Sequence, residues 1–145
     1  MTSEQSDKKK QFKIQKAIRE AEDDLVMWIE SALNNETSYG DLEESQFRNL
    51  VRVATTTDSA KVIKNFIHYQ VGRDRKWGRG QGSLAENIIQ DIDHNIKEVS
   101  QEIAKNCQTD LNCETDFKPI WLELIRLYLG YGARHLKYKR EGNQS

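Results

Sequence analysis

Proline occurs once in the 145 residues, cysteine twice and glycine eight times. With so few helix breakers and 31% charged side chains, the chain reads as helices with solvated outer faces. No stretch shows the period-two alternation of a half-buried strand, so a sheet is excluded and the fold is expected to be all-α. Apolar runs are also missing: none approaches the roughly 20 residues that a membrane span needs. The opening MTSEQSDKKK lacks the apolar core of a secretory signal, so a cytoplasmic location without a membrane partner is expected. Cys107 and Cys113 have no third thiol and no histidine at ligand spacing beside them. They are expected to be two free thiols in a loop, since a disulfide does not suit a reducing compartment.

Catalytic constellations are equally scarce. His68, His94 and His135 fall on three different predicted helices. Asp91 and Asp93 project about 200° apart on a helix and cannot chelate together. The run GRGQG has neither the preceding strand nor the GK[ST] ending of a phosphate loop. The expectation is therefore no enzyme, no cofactor and no metal.

What the chain does contain is helical periodicity. Five segments, near residues 9–33, 42–54, 59–72, 84–105 and 116–138, carry apolar positions at three- and four-residue spacing. The first stripe is read as Phe12, Ile14, Ile18, Leu25, Val26, Ile29 and Leu33, and the third as Val62, Ile63, Phe66 and Ile67, with Tyr69 and Gln70 at its edge. Asp58 is expected to cap the third helix. Ser83 and Glu86 form a capping-box signature for the fourth, and Thr115 or Asp116 caps the fifth ahead of Pro119. Gly130 and Gly132 inside the fifth imply a close approach of another chain segment. The domain is expected to be one compact bundle over residues 9–140, with disordered tails at 1–8 and 141–145.

Charge is unevenly placed. Residues 61–82, KVIKNFIHYQVGRDRKWGRGQG, hold six basic side chains and one acidic one, net +5 in a chain of formal net charge -1. Residues 83–118 hold three and eight, net -5. Guanidinium and ammonium groups recognise phosphates, and an aromatic ring stacks on a base, so this segment reads as a surface for a polyanion. Arg48, Arg52, Lys61, Lys64 and Arg73 are assigned to a basic helical face. Arg75, Lys76, Trp77 and Arg79 are assigned to an adjoining glycine-rich loop, with Arg134 and Lys137 as further candidates. In the competing reading, Trp77 packs onto the bundle and the arginines are merely solvated.

Three stretches, in order, resemble one family. Ser45-Gln46-Phe47-Arg48-Asn49-Leu50 resembles an "SQ-apolar-R" helix start, and Phe66-Ile67-His68-Tyr69-Gln70-Val71-Gly72-Arg73 resembles a "YQ-x-GR" helix end. Residues 121–138 resemble a terminal aromatic-rich helix. Together they resemble the small subunit of type III, especially III-A, CRISPR RNA-guided effector complexes of antiviral defence. The resemblance covers about half the chain; the acidic first helix and the RKWGRGQG extension after Arg73 lie outside it. It implies a non-catalytic helical bundle that stacks on other copies of itself along the backbone and large subunits. Such copies line the groove holding guide RNA and target RNA, and cleavage belongs to other subunits. Arg48 and Arg73 are the basic residues carried over. The rival from another class is a helical adaptor whose basic patch meets an acidic protein partner.

Overall fold

The computed structural model describes residues 3–108 and 115–142. Six α-helices are present among them: α1 (Ser3–Asn34), α2 (Glu44–Thr56), α3 (Ala60–Arg73), α4 (Leu84–Gln90), α5 (Lys97–Asn106) and α6 (Lys118–Lys137). A π-turn, Asp91–Ile96, joins α4 to α5 without leaving helical backbone, since Gln90, Asp91, Ile96 and Lys97 all keep right-handed helical angles. The chain thus forms five helical rods and, among the described residues, no strand. The all-α bundle expected from the periodicity is the observed fold.

Local chemistry explains the boundaries. Glu43 and Gln46 cap the start of α2 reciprocally, each side chain accepting the other residue's backbone N–H. Ser59, rather than Asp58, caps α3, its hydroxyl accepting from the Val62 N–H. Asp58 instead meets Arg126, which also donates to the Ala54 and Thr57 carbonyls at the end of α2. Ser83 caps α4 by accepting from Glu86 N–H, while the Glu86 carboxylate turns to Gln90. Asp116 accepts from Lys118 N–H ahead of α6. In the π-turn the Ile92 carbonyl accepts from Trp121 Nε1 of α6 at 2.8 Å, tying the turn to that helix.

The core is one cluster. α6 packs chiefly on α1 and α2 and also meets α5, so it runs through the middle of the bundle. Leu25, Ile29 and Leu33 of α1, Phe47 and Leu50 of α2, and Tyr128, Leu129 and Leu136 of α6 are fully enclosed. Gly132 is what lets α6 come so close: a Cβ there would meet Phe47 Cζ at 2.7 Å and Ile29 Cγ1 at 2.8 Å. Gly130 meets nothing within 4 Å, so the close approach belongs to Gly132 alone.

Several expectations are corrected. α1 begins at Ser3, so residues 3–8 are helical rather than tail, and 141–142 belong to a closing π-turn, Tyr138–Gly142. Residues 1–2, 143–145 and Cys113 lie outside the described residues; Cys107 is a free, buried thiol. Phe12 is exposed, because the bundle covers α1 only from Ile14 onward. On α3 the buried stripe is Ala60, Ile63, Ile67 and Gln70, leaving Val62 exposed. A helix presents one stripe to a core, and Val62 lies to the side of the row 60–63–67–70.

Candidate nucleic-acid interface

The basic segment is built from the end of α3 and the loop that follows it. Asp74 ends α3, its N–H donating to the Gln70 carbonyl and its carboxylate accepting from Lys76 N–H at 2.9 Å. A tight turn follows, Gly78 N–H donating to the Arg75 carbonyl at 3.1 Å. Two further bonds tie the loop to the body: Gly40 N–H donates to the Lys76 carbonyl and Ala85 N–H to the Trp77 carbonyl, each at 3.1 Å. Gly78 has φ +76 and lies so near residue 38 that a Cβ would fall 2.1 Å from the Ser38 carbonyl oxygen. Only glycine fits there. The glycine-rich loop is therefore a braced structure.

Trp77 is its anchor, and this corrects the assignment of Trp77 to a stacking platform. The ring is 0% exposed and lies on Phe47 of α2, centroids 5.5 Å apart and planes 25° apart. Energy explains the choice. Burying at least 150 Å² of indole at about 25 cal/mol/Å² gains roughly 4 kcal/mol, whereas one stacked base offers about 1–3 kcal/mol. The indole Nε1 has no hydrogen-bond partner. Its desolvation costs about 1–3 kcal/mol, less than the burial and ring stacking return.

With Trp77 turned inward, the side chains around it divide into two groups. Lys61, Arg73, Arg75, Lys76 and Arg79 make no ion pair, hydrogen bond or ring contact through their side chains, and all but the half-buried Lys76 are exposed. The other assigned cations are engaged. Lys64 Nζ pairs with Asp93 at 2.8 Å, linking α3 to the π-turn. Arg48 pairs with Glu44 one turn earlier, and Arg52 donates to Asn49 at 3.3 Å. Lys137 lies 3.4 Å from Glu141, and Arg134 sits over the Tyr131 ring, 5.9 Å from its centroid. The structure thus places Lys61 at the start of α3 and Arg73 at its end, with Arg75 and Arg79 lining one cleft beyond it, while Arg48 and Arg52 on α2, and Arg134 and Lys137 on α6, belong to other helices.

The loop also faces something the residue pattern did not suggest. Residues 37–40, which take in the end of the short 3₁₀ turn Glu36–Ser38, form with Arg75, Gly78, Arg79 and residues 81–83 a cleft of ~340 Å³. Its far wall is held by Arg140, which donates to the Leu42 and Gly40 carbonyls and covers the Tyr39 ring, and by Lys139, which pairs with Glu36. The pairing of residues 37–40 with 75–83 is a tertiary contact, and only the three closely spaced glycines hinted at it.

Among the described residues, no three His, Cys, Asp or Glu side chains are grouped to hold a metal ion. Asp91 accepts from Tyr128 Oη at 2.6 Å and from Asn95, while Asp93 faces Lys64. Burial pushes the Asp91 carboxyl up, opposed by its hydrogen bonds from Tyr128 and Asn95. Burial also pushes the Tyr128 hydroxyl well up, reinforced by the Asp91 charge. The pair is structural, joining the π-turn to α6. No helix among the described residues is long and apolar enough to cross a membrane. No family model, no curated protein and no solved structure matches this chain.

Proposed function

We propose that this chain is a non-catalytic RNA-backbone-binding protein, acting as the small subunit of a type III CRISPR effector complex in contact with guide and target RNA. The complex is named on the strength of the three stretches at Ser45–Leu50, Phe66–Arg73 and residues 121–138. The observation that carries the RNA reading is the run of unpaired cations Lys61, Arg73, Arg75, Lys76 and Arg79 along α3 and its following loop, in a chain of net charge -1. Among the described residues none of the five has a counter-ion, whereas Lys64, Arg48 and Lys137 each meet an acid. Asp74, the one acid among them, accepts at Oδ1 from the Lys76 N–H. Such a surface reads charge spacing rather than base identity.

The test replaces Lys61, Arg73 and Arg79 with Ala and measures binding to single-stranded RNAs of unrelated sequence across salt concentrations. Affinity should fall equally for all sequences, and the slope of log affinity against log salt should flatten by about 0.7 per residue removed. Lys64→Ala, which loses an internal ion pair, should leave that slope unchanged. Unchanged affinity in the folded triple variant would falsify the assignment.

One observation favours a second reading. With Trp77 buried, the loop offers charge without an aromatic ring of its own, and an acidic protein partner satisfies charge equally well. An acidic polypeptide that outcompetes RNA at equal salt would place the chain among helical adaptors.

A further inference from the structure

The cleft between residues 37–40 and the basic loop differs from the rest of the surface. Ser38 and Gly40 contribute to it from one side, and Arg75, Arg79, Gln81 and Gly82 from the other; no acidic side chain lines it. We propose that this cleft is a phosphate-binding subsite, in which Arg75 and Arg79 grip one phosphate group while the backbone N–H groups of residues 79–82 complete its hydrogen bonding. The proposal rests on the reading of the chain as an RNA-backbone binder, which names RNA as the source of that phosphate.

Four observations converge on it. Neither guanidinium has a protein partner, so both planar forks are available for bidentate bonds to phosphate oxygens. The N–H groups of Arg79, Gly80, Gln81 and Gly82 donate to no protein acceptor, although those of Gly78 and Ser83 on either side do. Gly78, Gly80 and Gly82 have φ of 76°, 80° and 84°, and among the described residues no non-glycine residue has positive φ, so φ alternates in sign through residues 78–82. Alternating φ of this kind is the backbone pattern that can turn successive N–H groups toward one anion. Finally the loop is pre-organised, by Trp77 beneath it, the Gly40–Lys76 bond beside it and the Ser38 carbonyl against Gly78. Little ordering is then left for the ligand to bring about. A cleft of ~340 Å³ is roomier than a lone phosphate requires, so it admits either an internal phosphodiester or a terminal phosphate with its sugar.

The experiment uses the full chain labelled with ¹⁵N. Titration with inorganic phosphate should move the amide signals of residues 79–82 saturably, and the movement should vanish in the Arg75→Ala/Arg79→Ala variant but persist in Lys61→Ala. Amide signals of residues 79–82 that stay put in wild type overturn the subsite. Single-stranded RNA is then added, bearing either a 5′-hydroxyl or a 5′-phosphate. Each arginine-to-alanine change should weaken binding about tenfold, the loss expected for a charge-assisted bond. Arg75→Lys/Arg79→Lys keeps the charge but not the fork, so affinity should fall with the salt slope retained. Tighter binding of the 5′-phosphate RNA identifies the terminal group as occupant; equal binding identifies the internal phosphodiester. Failure of the RNA reading looks different: phosphate still moves amide signals 79–82, but wild type binds neither RNA. If RNA binds and the double variant binds it equally well, the cleft is not on the RNA path and the proposal falls.

Discussion

Trp77 shows how one residue can be read correctly in chemistry and wrongly in place. Its flat ring suits a base, but its area suits a core more. We expect Trp77→Ala to cost about 3–5 kcal/mol, the usual loss for a buried aromatic, visible as a lowered melting temperature. RNA affinity per folded molecule should keep its salt dependence, because no phosphate contact is removed. The glycines around it grade in the same way. Gly78→Ala adds a methyl against the Ser38 carbonyl in a left-handed conformation, whereas Gly80→Ala and Gly82→Ala meet nothing within 4 Å. Gly80→Ala and Gly82→Ala should therefore cost only the conformational strain of about 1–2 kcal/mol each. Gly78→Ala should cost clearly more, and chemical denaturation of the three variants checks the order.

At the scale of helices, α6 against α1 is the contact that organises the bundle. Gly132→Ala should destabilise by about 1–3 kcal/mol, since Phe47 and Ile29 leave the new methyl no room. Gly130→Ala, on the same helix with open space beside it, should stabilise by about 0.5–1 kcal/mol. Opposite signs two residues apart would locate the close approach; equal effects would refute it. The same contact carries a pH dependence. His135 of α6 meets Asn34 Oδ1 at 2.8 Å and Glu30 at 3.6 Å on α1. Burial holds the imidazole below its ordinary 6.5, with Glu30 pulling it up and Lys139 pushing it down. The folded chain then refuses a proton that the unfolded chain accepts, so its contribution is present above 6.5 and lost as pH falls through the folded value. The melting temperature should drop on mild acidification, and His135→Gln should flatten that drop. Asp91 acts with the opposite sign above 3.8, so the difference between the two curves is the readout.

For the molecule as a whole, the segregation of charge matters more than its total. Residues 61–82 are net +5 and residues 83–118 net -5 in one small bundle. Faces of opposite sign steer head-to-tail contacts between copies, which extend rather than close. We propose such stacking along the backbone of the effector complex, where copies align their basic loops on one RNA path. Crosslinking of the assembled particle should join neighbouring copies of the chain. A single copy per particle, or no copy-to-copy crosslinks, would sink the idea.

Much of this protein was legible in its residues taken in order. Helical periodicity, the Ser83 and Asp116 caps and the lone proline dictated an all-α bundle, because each depends on neighbours within a turn or two. The basic run at 61–82 was equally plain, since charge is a property of composition. What the order of residues could not decide was which groups meet across the fold. Lys64 and Lys61 lie on one helix three residues apart, yet only Lys64 finds an acid, Asp93 of the π-turn. Val62 and Ile63 are equally apolar neighbours, and the direction of the core buries only Ile63. Trp77 went inward because Phe47, thirty residues earlier, stood ready to receive it. The cleft exists because Gly40 reaches Lys76 across the bundle. These are long-range pairings, chosen by packing and desolvation after the helices dock, and no local pattern encodes their outcome.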